Sequence, residues 1–408
     1  MDRSPNREPL ASTTHGPLLQ ALVVADLLSR IPPVALLPAL IALSAIGAWP
    51  WRAAPLQATT GVLTLAAILV DGISLSLLPR FGRSYGPPTP PLFALALLRA
   101  GVTFALGAIS PTWPTLILCA LCQVGLVAVQ IYATWIEPAR VTVTHQRLTT
   151  PKLRGSDPLR LLHVSDIHFE GWTPREHRLL RMVRSLQPDL ILLTGDYLNL
   201  SSIEETTAHA EARELLACLA ACAPTYAITG SPPVDHAHVV PAIFEGLPIT
   251  WLMDQAATVR IRGHRLLLVG IRCTRDRHAD GARLRQLLPD GVGDTFTVLL
   301  YHSPDLMPDA VACGIDLYLA GHTHGGQLRL PLFGALVTSS DFGKRYEMGR
   351  YRESGTILYV SRGLGVEGLG APRARFLAPP EIVVWDLEAV QRHTDAEATA
   401  RNEKSPSA

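Results

Sequence analysis

The sequence predicts an α/β domain preceded by an all-α membrane region. Three observations carry this. Before residue 137 the chain is a succession of apolar segments, each near the ~20 residues needed to cross a bilayer. Beyond it, short apolar runs of strand length alternate with segments of helical spacing. Side chains able to bind a metal cluster just past the ends of those short runs, where open α/β sheets place their sites.

The chain has 408 residues, enough for two or three domains. Only 17% are charged, and the mean hydropathy is +0.22. A net charge of +1 gives no general electrostatic case for binding nucleic acid. Six scattered cysteines argue against a disulfide scaffold. Cys119 and Cys122 mimic a CxxC pair but sit in an apolar run of helix length, so they read as inert membrane-buried thiols.

Residues 1–16 form a polar tail. The membrane region, 17–137, opens with Pro17–Arg30, which lies in the interface or begins the first span. About four spans follow, near Ile31–Trp49, Thr59–Leu78, Pro91–Ile109 and Trp113–Trp135. Arg3 and Arg7 precede the first; Arg80 and Arg83 lie between the second and third; Arg140, Arg147, Lys152 and Arg154 follow the fourth. The other two loops offer only Arg52. Four spans with both termini in the cytoplasm satisfy the positive-inside rule. Asp71 and Arg99 fall inside the second and third spans. Charges at that depth are costly alone, so the two are expected to pair and join their helices.

The soluble domain spans 138–388. Val141–Leu153 is a lead-in strand and linker, and Leu159–Ser165 an apolar strand. Arg175–Gln187 has helical spacing; Asp189–Thr194 is a second apolar strand. Glu204–Ala221 reads as a helix, with Ser201 and Ser202 before it as caps. Thr225–Thr229, Ile249–Leu252, Thr258–Ile261 and Leu266–Ile271 are short strands, and Asp280–Leu288 is helical. Thr295–Tyr301, Ile315–Ala320, Thr356–Ser361 and Glu381–Asp386 complete the strands. Residues 389–408 are polar and expected to be disordered.

Asp166 and His168 stand past Leu159–Ser165, and Asp196 past Asp189–Thr194. His302 stands past Thr295–Tyr301, and His322 and His324 past Ile315–Ala320. Gly321, Gly325 and Gly326 let the backbone turn around the last pair. Two carboxylates and four imidazoles suit a borderline divalent ion: manganese, iron or zinc. They exceed what one four-coordinate ion needs. One carboxylate shared between two ions ~3.5–4 Å apart would account for the set, and such a pair serves phosphoryl chemistry.

The order Asp-x-His, Gly-Asp, His, Gly-His-x-His resembles the calcineurin-like metallophosphoesterase superfamily. The strings GHTHGGQLRLP, LYVSRGLG and PPEI are similar to its membrane-anchored bacterial branch. The resemblance covers roughly Arg140–Leu387. It implies a two-sheet α/β/β/α sandwich and two divalent metals. Asp166, His168 and His324 would hold the first metal, Asp196 would bridge, and His302 and His322 would hold the second. A hydroxide between the metals would attack phosphorus in line. With the spans, it implies an integral protein of the bacterial inner membrane, its catalytic domain in the cytoplasm. The implied substrate is a phosphorylated small molecule or lipid, such as a nucleotide-linked lipid pyrophosphate.

The chain departs from the family at one motif. Members carry Gly-Asn-His-Asp or Gly-Asn-His-Glu after the third strand, the Asn on the second metal and the His near the leaving group. Here the chain reads Gly230-Ser231-Pro232-Pro233-Val234-Asp235-His236. Ser231 weakens the second metal position, and Pro232 has no proton to give. Three readings follow. Asp235, His236 or His238 swings into the gap, His236 having the right chemistry; or the enzyme works without an acid on good leaving groups; or turnover is lost and metal binding stays. The last makes the protein a degenerate metal-binding sensor or partner-binding module. Of the remaining polar residues, Asn199 reads as a turn, His163 as packing, and His209, His264 and His278 as solvated. Arg345, Arg362 and Arg373 read as loop arginines at the surface.

Overall fold

The computed structural model describes residues 27–83, 86–288, 290–366 and 373–390. The expected N-terminal tail, most of Pro17–Arg30 and residues 391–408 lie outside them. Four helices come first: α1 (Pro33–Ala48), α2 (Ala54–Leu77), α3 (Thr89–Ile109) and α4 (Trp113–Ile131). Each carries a proline in its first positions, where a missing N–H costs nothing. α2, α3 and α4 with its extension to Ala139 are long and apolar enough to cross a membrane; α1, with 16 residues, is shorter. Of the about four spans expected, three helices among the described residues meet the length requirement, and α1 packs against α2 and α3.

Asp71 of α2 and Arg99 of α3 form a buried bidentate pair, Nε to Oδ2 at 2.6 Å and Nη2 to Oδ1 at 2.8 Å. Nη1 of Arg99 donates to the side-chain oxygen of Gln123 on α4 at 2.8 Å. One guanidinium thereby links three helices with its charge neutralised in place.

α4 continues as a π turn, Tyr132–Ile136, and a 3-10 turn, Glu137–Ala139. This end is bound into the soluble part. The buried Glu137 carboxylate accepts the amides of Leu377 at 3.0 Å and Ala378 at 2.6 Å. The carbonyl of Ala133 accepts the amide of Arg375 at 2.9 Å. The Tyr132 ring meets Phe376 edge-on, with centroids 6.0 Å apart.

The soluble elements then run β1 (Thr142–Thr150), β2 (Leu159–Val164), α5 (Pro174–Leu186), β3 (Leu190–Leu193), α6 (Thr206–Ala220), β4 (Thr225–Ala227), α7 (Val240–Phe244), β5 (Ile249–Trp251), β6 (Gln255–Ile261) and β7 (His264–Gly270). They continue α8 (Arg277–Leu287), β8 (Phe296–Leu300), α9 (Met307–Ala312), β9 (Leu317–Ala320), β10 (Arg329–Leu330), β11 (Gly334–Ala335), β12 (Gly349–Glu353), β13 (Thr356–Val360) and β14 (Glu381–Ala389). One six-stranded sheet has the order β1-β14-β2-β3-β4-β5, the other β12-β13-β9-β8-β7-β6, and β10–β11 is a separate hairpin. β14 returns from the far end of the chain to lie parallel to β1 and antiparallel to β2.

Strand alternation builds the layers. Leu159 and Leu161 of β2 face the second sheet, against Leu266, Val298 and Leu317. Leu162 and Val164 face the other way, against Leu179 of α5 and Leu215 of α6. On the far side Val269, Leu299 and Leu358 pack against Leu284 of α8 and Met307 of α9. The result is an α/β/β/α sandwich, and burial on both faces explains why the strands read as unbroken apolar runs.

Two local expectations need correction. α6 starts at Thr206, and Glu205 before it makes no side-chain cap bond. The hydroxyl of Ser201 turns back to Asn199 Oδ1 at 2.6 Å instead. His264 is buried rather than solvated: Nε2 donates to the Asp157 carbonyl at 2.7 Å and Nδ1 accepts the Gly155 amide at 3.2 Å.

Candidate metal centre

β2 and β3 run parallel, as do β8 and β9, so their carboxyl ends lie together in each sheet. The six expected side chains all follow those ends. Five stand on backbone in the left-handed region: φ is 50° at Asp166, 42° at His168, 57° at Asp196, 70° at His322 and 52° at His324. Few residues other than glycine adopt it, and each costs ~1–3 kcal/mol unless its surroundings hold it. Here they do. The Asp166 amide donates to the Gly195 carbonyl at 3.0 Å and the His168 amide to the Asp196 carbonyl at 3.0 Å. The His322 amide donates to the Asp166 carboxylate at 3.0 Å. Gly321 serves space rather than turning: a Cβ there would lie 2.1 Å from Oδ2 of Asp166.

The side chains assemble as two groups, Asp166–His168–His324 and Asp196–His302–His322, each with its ligand atoms within 4.8 Å of one another. Nε2 of His168 and His324 are 3.0 Å apart, and Oδ1 of Asp166 is 3.5 Å from the latter. Asp196, of the second group, also reaches toward the first: its Oδ2 lies 3.1 Å from Nε2 of His302 and 3.6 Å from Nε2 of His168. Nε2 of His302 faces that carboxylate without the alignment of a hydrogen bond, while its Nδ1 is anchored on the Thr194 carbonyl at 2.7 Å.

The electrostatics match a site built for added positive charge. Burial pushes Asp166 up to about 6. Burial also pushes His168 down to about 4 and His322 to about 3, so both are neutral and able to ligate. His302 is the exception: burial opposes its charge, but the facing Asp196 and Asp166 carboxylates raise it to about 10. Two buried carboxylates with nitrogen atoms turned inward between them fit a pair of divalent cations.

Ser231 stands at the second group, its Oγ 3.1 Å from Nδ1 of His322 and 3.5 Å from Oδ2 of Asp196. The rest of its loop does not enter. Asp235 turns inward and accepts the amides of Gly230 at 2.6 Å, Asp196 at 2.9 Å and Tyr197 at 3.0 Å. That grip sends His236 the other way, where it gathers with Glu204 and His238. Sequence reasoning did not foresee Arg375, wholly buried, with Nη2 3.3 Å from Nδ1 of His324. Nor did it foresee that Asn199 and Arg373 are buried, Asn199 bonding the Val366 carbonyl at 2.9 Å and Arg373 pairing with Glu170.

A family model described as calcineurin-like phosphoesterase matches residues 159–326, which contain all six side chains. The chain is 30% identical over 263 residues to the phosphodiesterase YaeI of Escherichia coli, covering 63% of this chain and 92% of that one. The chain belongs to the calcineurin-like phosphoesterase family. It is therefore a hydrolase of the metallophosphoesterase kind. It is also 29% identical over 276 residues to the uncharacterized metallophosphoesterase YkuE of Bacillus subtilis, covering 63% of this chain and 89% of that one. To the UDP-2,3-diacylglucosamine pyrophosphatase LpxG of Chlamydia trachomatis it is 26% identical over 313 residues, covering 62% and 91%.

Proposed function

We propose that this phosphoesterase hydrolyses a phosphodiester or pyrophosphate bond carried on a lipid or nucleotide-linked lipid, anchored in the bacterial inner membrane and facing the cytoplasm. The observation that carries the reading is Asp196, whose one carboxylate oxygen lies within 3.6 Å of an imidazole from each group. Asp166, His168 and His324 would hold one manganese, iron or zinc ion and His302 and His322 the other, with Asp196 shared between them. Bound there, two divalent ions would supply an activated water and stabilise the attacking and leaving oxygens. The chain's own part is to hold those ligands through a buried network and to keep Ser231 at the second position.

The substrate class is supported by anchoring and by the activities of two relatives, a phosphodiesterase and a UDP-2,3-diacylglucosamine pyrophosphatase. A site tethered beside a bilayer meets lipid-borne phosphates at high effective concentration. Arg80 and Arg83 after α2 and the basic residues after α4 support the cytoplasmic side. His236 contacts neither group, so a good leaving group, such as the nucleotide side of a pyrophosphate, suits the site best.

The test is Mn²⁺-dependent hydrolysis of a bis-aryl phosphate reporter by the full chain, beside Asp196→Asn. Wild-type turnover well above the variant supports the enzyme. Equal rates, with metal still bound, would instead favour a metal-binding module without turnover.

A further inference from the structure

Directly downstream of the Gly-His-Thr-His stretch, β10 and β11 form a short hairpin. Its tip, Pro331–Phe333, turns tightly: the Phe333 amide donates to the Pro331 carbonyl at 2.8 Å, and Leu332 sits at φ 65°. Water-facing turns of that shape take Gly, Asn or Asp. A leucine there is strained, and its side chain is fully exposed. Leu330, Phe333, Leu336 and Val337 are each about half exposed beside it. Contiguous apolar surface of this kind marks an interaction site.

The base of the hairpin is fastened to the end of the last apolar helix. The Arg329 amide donates to the Phe376 carbonyl at 3.0 Å, and the Phe376 amide to the Gln327 carbonyl at 2.9 Å. Phe376 is the residue that meets Tyr132, and its neighbours are those held by Ala133 and Glu137. Lys344 places Nζ 3.4 Å over the Phe333 ring and donates to the Phe333 carbonyl at 2.6 Å. A cation above an apolar tip suits an interface where acyl chains meet phosphate headgroups.

We propose that this hairpin dips into the same bilayer that α2–α4 cross, with Leu330, Leu332 and Phe333 among the acyl chains and Lys344 at the headgroups. The proposal rests on the membrane reading above. It deepens that reading, because a hairpin seated there brings the adjoining His322–His324 turn to the lipid phosphates.

The test uses the full chain in nanodiscs of phosphatidylethanolamine and phosphatidylglycerol. Leu332→Cys carries an environment-sensitive fluorophore, and the chain without that cysteine gives the background from native thiols. A second label at Val62→Cys reports the outward face of α2, where Val62 is exposed. Nitroxide lipids are expected to quench both, Val62 from deep in the chains and Leu332 from near the headgroups. Quenching of Val62 without Leu332 overturns the hairpin proposal and leaves the spans standing. A Leu332 label shielded only as protein per disc rises indicates a second copy, and also overturns it. Loss of quenching at both removes the membrane reading and the proposal with it.

Discussion

Arg375 reaches from a wholly buried position to Nδ1 of His324, at 3.3 Å. A guanidinium only donates, so Nδ1 accepts, and the proton of the neutral ring sits on Nε2, 3.0 Å from Nε2 of His168. A cation held at Nε2 would need the lone pair there, with the ring proton on Nδ1, so Arg375 would then bear on His324 through the carbonyls it holds rather than through that contact. Arg375 also donates to the carbonyls of Arg362 at 2.8 Å and Ala378 at 2.9 Å.

Arg375→Lys keeps a charge but loses the fork. Metal affinity is expected to fall ~10–100-fold at one of two sites. Mn²⁺ titration of purified protein, following stoichiometry as well as affinity, checks this. Two equivalents bound as tightly as in the wild type would confine Arg375 to supporting the loop.

The Ser231 position gives a prediction of opposite sign. A hydroxyl 3.1 Å from Nδ1 of His322 is a weak metal donor. Ser231→Asn is expected to raise occupancy of the second site. Adding Pro232→His supplies an acid and is expected to raise turnover, by up to ~10²–10⁴-fold on poor leaving groups. Steady-state rates on a phosphate diester with an alkyl leaving group would show it; no gain would mean that something other than this loop limits the site.

In the membrane helices, Asp71→Asn leaves the Arg99 charge buried without its partner. Breaking such pairs costs ~3–5 kcal/mol. The thermal midpoint in detergent is expected to drop clearly, and Asp71→Asn with Arg99→Gln to recover part of it. A midpoint equal to the wild type would remove the pairing as a source of stability.

His163 links stability to pH. It is buried in β2, bonded to the Thr194 hydroxyl at 2.8 Å, and burial pushes it down to about 3. The unfolded chain binds its proton near pH 6.5 and the folded chain near 3. Stability is therefore whole above about 6.5 and declines as pH falls between those values, by up to ~1.4 kcal/mol per unit. His163→Gln is expected to flatten melting midpoints measured from pH 7 to 5. An equally steep variant would assign the slope elsewhere.

The parts legible from the sequence were those with local signals. Apolar length marked α2, α3 and α4, and apolar runs with a ligand at their ends marked β2, β3, β8 and β9. What escaped depends on the far side of the fold. Nothing near Thr142 announces that β1 pairs with Glu381–Ala389. Asp235 read as a candidate to fill the gap at the second metal position, but three amides from two strand ends hold its carboxylate. Arg373 and His264 read as surface residues, and Arg375 was not singled out, because a polar side chain's partners are set by tertiary contact. The left-handed backbone at five of the six ligand positions has no composition signature, since none of them is glycine.

The bond between Glu137 and the amides of Leu377 and Ala378 bears on how this protein can be handled. A water-soluble fragment starting at residue 140 looks natural, because the apolar helices end there. It would discard Glu137 and the Ala133 carbonyl together, orphaning three amides in the segment that carries Arg375. Detergent-free preparations trimmed at that point would expose the His324 side of the pocket to collapse, and their weak activity would reflect the cut rather than the enzyme.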